Sequence, residues 1–358
     1  MIDVGDFCVI KSMAKLFFTS LLLFVLLACS DSKSVVDPDN PRVANITLIA
    51  SINGIGDNGY NDCILAGFFR FYENSGVPFH LLQPESMEEA DSLAKDWLKN
   101  NRETDSSMLV LASSEYKQVA QKLDVRFTGV GNKVLLFEAD SSGLPENVYS
   151  FWIDRYGASY LAGAIVGTHS GVVLATAPGF SSLETSISGF RAGFNAHKTV
   201  KDSLKVLYVS DIEGDEAAFN DVESTYLVLA TLLRENYADK GEKIAVFPLL
   251  GGAIKGARRA FIDFPITTDF MIGMDVDQSG VLPKVPFTMT VEIKDVVIHY
   301  LTEWLAGREW PRFSSFGLED GGTSIVFNEK FGDIKIFEER YNKYRAEAIR
   351  EEAEHAKK

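Results

Sequence analysis

Short apolar segments alternate with helical patterns along most of this chain, and that alternation limits its possible folds more than any other feature. The apolar segments have the length of buried strands and are bounded by turn-forming residues. The segments between them repeat apolar residues at helical spacing. Because strands and helices in regular succession form a parallel sheet covered on both faces, the sequence predicts an α/β fold with doubly wound parallel sheets.

The alternation forms two arrays of similar size, which predicts two lobes rather than one core. In the first array we predict strands at 46–52, 79–82, 107–112, 133–139 and 148–153, and helices at 61–73, 86–99 and 115–123. In the second we predict strands at 171–177, 204–210, 243–248, 270–276 and 323–327, and helices at 156–166, 182–197, 219–235, 254–262 and 291–305.

The chain begins with a segment typical of a lipoprotein precursor. Lys15 supplies a positive charge, residues 16–27 form a short apolar run, and the Leu-Leu-Ala-Cys sequence that ends at Cys29 resembles a bacterial lipobox. We predict a signal peptide at 1–28, lipidation of the Cys29 thiol and a polar tether at 29–44. A transmembrane helix is the alternative, but a run of twelve residues falls short of the ~20 that span a bilayer.

Charge and cysteine content argue against several classes of function. The net charge is −15, whereas nucleic-acid binding needs a basic surface, so no nucleic-acid partner is predicted. Cys8 lies in the predicted signal peptide and Cys29 is the predicted lipidation site, which leaves only Cys63 in the folded part and predicts neither an internal disulfide nor a cysteine metal site. The histidines lack metal-ligand spacing, and we predict no metal and no cofactor.

A series of short motifs runs through both arrays. These are DNGYND at 57–62 followed by Gly67, SYLAGAIVG at 159–167, GFRAGF at 189–194, FPLLGG at 247–252, IGMDVDQ at 272–278 and GLEDGG at 317–322. Their order and spacing resemble those of the basic membrane protein family, the PnrA-like substrate-binding lipoproteins of ABC transporters. The resemblance extends from about residue 46 to 328.

The resemblance implies a type I periplasmic-binding-protein fold, in which a hinge joins two doubly wound parallel-sheet lobes around a ligand cleft. We predict that lobe one comprises 45–153 plus 288–310, that lobe two comprises 154–287 plus 311–345, and that 346–358 is the charged end of a helix. The opposite charges in the C-terminal segment predict a solvated helix stabilised by i,i+4 pairs. A coiled-coil role for this helix is the alternative.

The resemblance also implies a function, because characterised members of the family bind purine nucleosides. It predicts a monomeric, non-enzymatic protein that binds a nucleoside-like small polar ligand and delivers it to an ABC permease and its ATPase. The lipid anchor would hold the protein on a membrane of the cell envelope, facing the periplasm or the exterior.

A polar solute needs aromatic faces, hydroxyl acceptors and close backbone approach. The predicted ligand-binding residues are Asn53, Asp57, Tyr60, Asn61, Ser113, Ser114, Phe180, Phe247, Gly251, Gly252, Asp275 and Lys294. Tyr60 and either Phe180 or Phe247 would stack on the ligand, and Asp275, at a strand end, would accept hydroxyl hydrogens. As alternatives, Asp57 caps a helix and Phe247 belongs to the core.

This chain departs from the family pattern at several predicted positions. Asn53 stands where the family has an acidic residue, and Lys294 follows the aligned position, Ile293, by one residue. Ser113 and Ser114 replace a small apolar turn. A polar ligand other than a nucleoside therefore remains an alternative.

Two other functions are compatible with the sequence. The first is an accessory lipoprotein that senses a ligand and signals to a membrane kinase. The second is a nucleoside or glycoside hydrolase that uses Asp275 and Asp277 as paired carboxylates. The same Asp-x-Asp pattern could instead hold a metal.

Overall fold

The computed structural model describes residues 45–357 except 58, 103, 105, 125–130, 202–203, 239–242 and 266–268. The predicted signal peptide, Cys29 and the predicted tether lie outside the described residues. Within the described part of the chain, no helix is both long and apolar enough to cross a membrane.

Strands and helices alternate as predicted, with ends that differ by a few residues in most cases. The strands are β1 Asn45–Ile49, β2 Phe79–Leu82, β3 Ser107–Leu111, β4 Lys133–Phe137, β5 Val148–Ile153, β6 Ser170–Ala175, β7 Lys205–Tyr208, β8 Ile244–Leu249, β9 Phe270–Met271, β10 Gly273–Asp275, β11 Phe287–Val291, β12 Phe313–Phe316 and β13 Thr323–Phe327. The helices are α1 Tyr60–Ser75, α2 Met87–Asn101, α3 Lys117–Lys122, α4 Tyr156–Val166, α5 Ser181–His197, α6 Val222–Ala238, α7 Ile254–Asp263, α8 Ile293–Leu305 and α9 Ile334–His355. Short 3-10 helices occupy Ser114–Tyr116, Glu216–Asn220 and Gly251–Ala253.

Lobe one is a six-stranded parallel sheet in the order β12-β5-β4-β3-β1-β2. Side chains of β3 alternate between its two faces, as a pleated strand requires. Met108 and Val110 pack with helices α1 and α8, whereas Leu109 and Leu111 pack with α2 and α3. Because both faces are covered, every residue of β3 is buried.

Lobe two contains a parallel sheet in the order β7-β6-β8-β9 and a smaller sheet in the order β10-β11-β13. In the smaller sheet β11 pairs parallel with β10 and antiparallel with β13. Every residue of α4 is buried, because this helix is packed among the second-lobe sheets, α5 and α9. A Cβ at Gly163 or Gly193 would overlap a backbone carbonyl of the facing helix, so these glycines let α4 and α5 approach closely.

The chain passes between the lobes after β5, between β11 and α8, and between β12 and β13. These positions differ from the predicted lobe boundaries at 288 and 311. Strand β11 belongs to the second lobe, whereas β12 pairs with β5 and extends the sheet of the first lobe. Neither strand is in the sequence prediction, which is why the boundaries differ.

The C-terminal helix also differs from the sequence prediction. The sequence predicts a solvated helix, but α9 buries Phe337, Tyr344, Ala348 and Glu352 against the second lobe. These positions form one face, and the closely spaced charges on the other faces obscure it in the sequence. Helix α9 is therefore part of the folded core rather than an appendage.

We predict that Gly193→Ala destabilises the protein by about 1–3 kcal/mol, although alanine is the better helix former by about 1 kcal/mol. The added Cβ would overlap the carbonyl oxygen of Tyr160 and separate α4 from α5. Urea unfolding measures the effect. Gly280→Ala is the control, since a Cβ there has no atom within 4 Å. Equal stability of the two variants would contradict this packing argument.

Candidate functional site

The two lobes face each other across a cavity of about 190 Å³. One water needs about 10–15 Å³ on the same measure, so the cavity has room for a small organic solute. It lies where β1, β3 and β4 of lobe one and β8 and β10 of lobe two end. Carboxyl ends of parallel strands are the usual binding position in open α/β sheets.

Most of the predicted ligand-binding residues lie together on this cavity. They are Asn53, Asp57, Tyr60, Asn61, Ser113, Ser114, Phe180, Gly251, Gly252 and Asp275. They come from both lobes and from segments more than 200 residues apart in the sequence.

The structure does not bring Phe247 and Lys294 to the cavity. Phe247 is fully buried and stacks on Phe190, with ring centroids 4.6 Å apart, so it is a core residue. Lys294 is exposed at the start of α8, in a surface groove beside Phe69 and Arg70 of α1. Of the two aromatic alternatives, Phe180 is the one that lines the cavity.

Asp275 ends β10 and projects into the cavity from lobe two. Its backbone has φ of 65°, a conformation that is uncommon for a residue other than glycine. Burial raises the pKa of Asp275 to about 6; Arg155 opposes this shift, and Asp57 and Glu138 add to it. Among the described residues no donor is hydrogen-bonded to this carboxylate, so it can accept hydrogen bonds from a ligand.

Asp57 caps helix α1 and lines the cavity at the same time. Its Oδ1 accepts hydrogen bonds from the amides of Gly59 at 2.8 Å and Asp62 at 3.3 Å, and its Oδ2 accepts from the amide of Asn61 at 3.0 Å. Amides at the start of a helix lack partners within the helix, which explains these contacts. Asp57 therefore caps helix α1, which is the alternative that the sequence analysis gave for this residue.

A hydrogen-bonded cluster of largely buried side chains lines the cavity. The Glu138 carboxylate accepts from Tyr60 Oη at 2.7 Å and from both terminal nitrogens of Arg155, at 2.8 and 3.1 Å. The amide of Ile153 also donates to it, at 3.2 Å. Burial, followed by the charge of Glu138, raises the pKa of Tyr60 well above its ordinary value. These contacts fix the orientation of the Tyr60 ring.

Sequence reasoning missed Glu138 and Arg155, although both line the cavity. Glu138 follows directly after the buried strand β4, the same strand-end position that singled out Asp275. Arg155 follows β5 after one intervening residue, at a crossing between the lobes. Applying the strand-end criterion to every buried strand would have found Glu138.

Residues at the rim of the cavity connect the lobes directly. The side-chain amide of Asn53 donates a hydrogen bond to the Glu216 carboxylate at 3.3 Å. The side-chain amide of Asn220 donates one to the side-chain oxygen of Asn53 at 3.4 Å. Lys255 Nζ of lobe two donates to the carbonyl of Gly56 in lobe one at 3.3 Å. The structure therefore has its lobes in contact around the cavity. Glu216 and Asn220 were also missed by the sequence analysis.

Aromatic rings face the cavity from both lobes. Phe180 and Phe219 of lobe two pack edge to face with centroids 5.0 Å apart, and Tyr60 is on lobe one. Aromatic faces suit a planar ring or the apolar face of a sugar. The cavity therefore combines aromatic surface with hydrogen-bond acceptors.

The geometry offers no support for paired catalytic carboxylates at Asp275 and Asp277. Asp277 is exposed and outside the cavity lining, and its side chain accepts hydrogen bonds from Ser279 within a turn. In the described part of the chain, no group of three or more His, Cys, Asp or Glu could hold a metal.

The fold is that of the type I periplasmic binding proteins. A solute-binding protein of an ABC transporter system from Aeropyrum pernix K1 is similar at a TM-score of 0.67 and 17% identity, over 87% of this chain and 90% of that chain. A periplasmic solute-binding protein from Actinobacillus succinogenes 130z with bound D-allose is similar at 0.59 and 14%, over 80% and 98%. A transcriptional activator of the comK gene from Bacillus halodurans is similar at 0.63 and 16%, over 84% and 97%. No protein-family model and no curated protein matches the sequence.

We predict that Glu138→Gln destabilises the protein by about 3–5 kcal/mol, because it leaves the buried guanidinium of Arg155 without its charge partner. Thermal or urea unfolding measures this. Glu223→Gln is the matched control, since Glu223 pairs with Arg259 on the exposed surface and such pairs contribute about 0–1 kcal/mol. A loss below about 1 kcal/mol in Glu138→Gln would contradict the structural importance of the pair.

Proposed function

We propose that this protein is a lipid-anchored, extracytoplasmic solute-binding protein of an ABC transporter. It binds a nucleoside or a similar small polar molecule between its lobes and presents the closed form to a permease and its ATPase. The observation that carries this proposal is the carboxylate of Asp275, which lines the cavity from the lobe opposite Tyr60 and has no hydrogen-bond donor among the described residues.

Binding on both sides of a cleft explains how a ligand would close it. Asp57, Tyr60 and Asn61 lie on lobe one, whereas Phe180 and Asp275 lie on lobe two. A solute that contacts both sets binds the closed arrangement more tightly than the open one, and only this difference in affinity drives closure. No covalent chemistry is required, and we propose no enzymatic activity.

The aromatic and polar groups favour a ligand with a ring and hydroxyls. Tyr60 and Phe180 supply ring faces, and Asp275 accepts from hydroxyls, as a nucleoside needs. Gly251 and Gly252 let the backbone approach the ligand closely. The motif resemblance to the PnrA-like family supports this ligand class. A sugar is the alternative ligand, because a protein of similar fold has bound D-allose.

The sequence supports the proposed attachment and location. The lipobox-like sequence ending at Cys29 would anchor the monomer to a membrane of the cell envelope, and residues 30–44 would hold the lobes away from the lipid. A sensor that signals to a membrane kinase could use the same fold. Neighbouring genes that encode a kinase rather than a permease would favour this sensor function.

We predict that calorimetry with a panel of nucleosides and monosaccharides detects binding, and that Asp275→Asn weakens it roughly 10- to 100-fold. A hydrogen bond to a charged group contributes about 1.5–3 kcal/mol, which corresponds to that range. Affinity should fall as the pH drops through about 6, where Asp275 gains a proton, and this pH dependence should disappear in the variant.

Asp277→Asn is the control for this experiment, because Asp277 lies outside the cavity lining and should leave affinity unchanged. Binding of sugars alone would refute the nucleoside assignment. Failure of every nucleoside and sugar to bind would refute the proposed function.

We predict that Cys29→Ser abolishes lipid attachment and releases the protein from the membrane fraction. The thiol is the acylated atom in the proposed precursor, and serine lacks it. Intact-mass spectrometry and membrane fractionation test this. Cys8→Ser, which alters a cysteine before the predicted cleavage site, should remain lipidated. A wild-type protein without lipid mass would rule out the anchor.

A further inference from the structure

Glu352 of α9 contacts two of the segments that cross between the lobes. It is buried, with 7% of its surface exposed. One carboxylate oxygen accepts a hydrogen bond from the amide of Gly157 at 3.0 Å, and the other accepts from the amide of Leu318 at 2.9 Å. Gly157 lies just after the crossing from β5, and Leu318 just after β12. One side chain therefore joins the second-lobe ends of both crossings.

Two glycines make room for this carboxylate. A Cβ at Gly157 would lie 2.6 Å from Glu352 Oε1, and a Cβ at Gly317 would also overlap the carboxylate. Neither glycine has a positive φ, so the space rather than the backbone conformation favours glycine at these positions. The two crossings are also joined to each other, because the amide of Asp154 donates to the carbonyl of Phe316 at 2.9 Å.

We propose that Glu352 is a positioning residue for the hinge. Its side chain holds the two crossings together, so that they rotate as one unit when the cleft opens and closes. The inference rests on the proposed function, since a hinge matters to a ligand only if the cleft binds one. Arg155, which binds Glu138 in the cavity lining, lies two residues before Gly157. The Glu352 contact therefore also constrains the segment that presents Arg155.

The charges around Glu352 make this contact dependent on pH. Burial raises the pKa of Glu352 to about 7, and the carboxylates of Asp154 and Asp320 add to the increase, whereas the two amides oppose it. Asp154 is itself affected by its surroundings. Burial raises the pKa of Asp154, and the charges of His355 and Arg155 lower it. These two residues therefore influence Glu352 through Asp154.

The direction of the pH effect follows from the proton balance. Glu352 has an ordinary pKa of 4.5, whereas in the buried position its pKa is about 7. Between these values the buried group binds more protons than a hydrated one, so raising the pH favours conformations in which Glu352 is hydrated. The contact with the crossings should therefore loosen as pH rises through this window and change little above it.

Hydrogen exchange of the ligand-free protein tests this directly. After correction for intrinsic exchange, peptides containing Gly157 and Leu318 should open at least about tenfold more readily at pH 7.5 than at pH 5. In Glu352→Ala, which lacks the carboxyl group, both peptides should exchange faster than in the wild type at pH 5, without this pH dependence. The radius of gyration from small-angle scattering should also increase, because the two crossings are no longer held together.

Glu354→Ala is the matched control, since Glu354 is exposed on the same helix and should behave as the wild type. If Glu352→Ala does not fold, Gly317→Ala replaces it, because the added Cβ displaces the carboxylate and should loosen the same two peptides. Wild-type exchange without the pH dependence, or an unchanged radius of gyration in the variant, would overturn the inference. No ligand is used, so a failed ligand panel would refute the proposed function and leave this result standing.

Discussion

The largely buried ion pair between Glu138 and Arg155 connects the cavity to one of the segments that cross between the lobes. Glu138 lies at the end of a central strand, and Arg155 lies in a crossing between the lobes. Two buried charges are tolerated only when their geometry and additional hydrogen bonds compensate for lost hydration. The amide of Ile153 and the hydroxyl of Tyr60 supply those additional bonds to Glu138. The position of the Tyr60 ring in the cavity therefore depends on the same contacts that order the crossing.

The polar groups of the cavity also stabilise the fold. Asp57 accepts hydrogen bonds from amides at the start of α1, and Glu138 forms an ion pair with Arg155. Asp275 differs from the others because no donor among the described residues is hydrogen-bonded to its carboxylate. Burial raises its pKa to about 6, so near neutral pH it is an ionised acceptor in a partly buried position. That combination favours a polar solute with hydroxyl groups.

The alternation of strands and helices predicted the α/β architecture, whereas most of the cavity residues were predicted from motifs that resemble those of the PnrA-like family. Asp275 was found because carboxylates at the ends of buried strands face a cleft. Glu216 was missed because it reaches the cavity only when the lobes meet, and no local pattern encodes that contact. Strand β12, with the sequence Phe-Ser-Ser-Phe, is too short and polar to be recognised without its partner β5. Its omission displaced the predicted lobe boundary.

The proposed function requires that a solute is held between the two lobes. The most direct measurement is a crystal structure of the protein purified without refolding, so that any solute taken up in the cell is retained. We expect density for a small ring-containing polar molecule between Tyr60 and Phe180, with a hydroxyl within hydrogen-bond distance of Asp275. A cleft that contains only water after purification and after soaking with nucleosides and sugars would contradict the account.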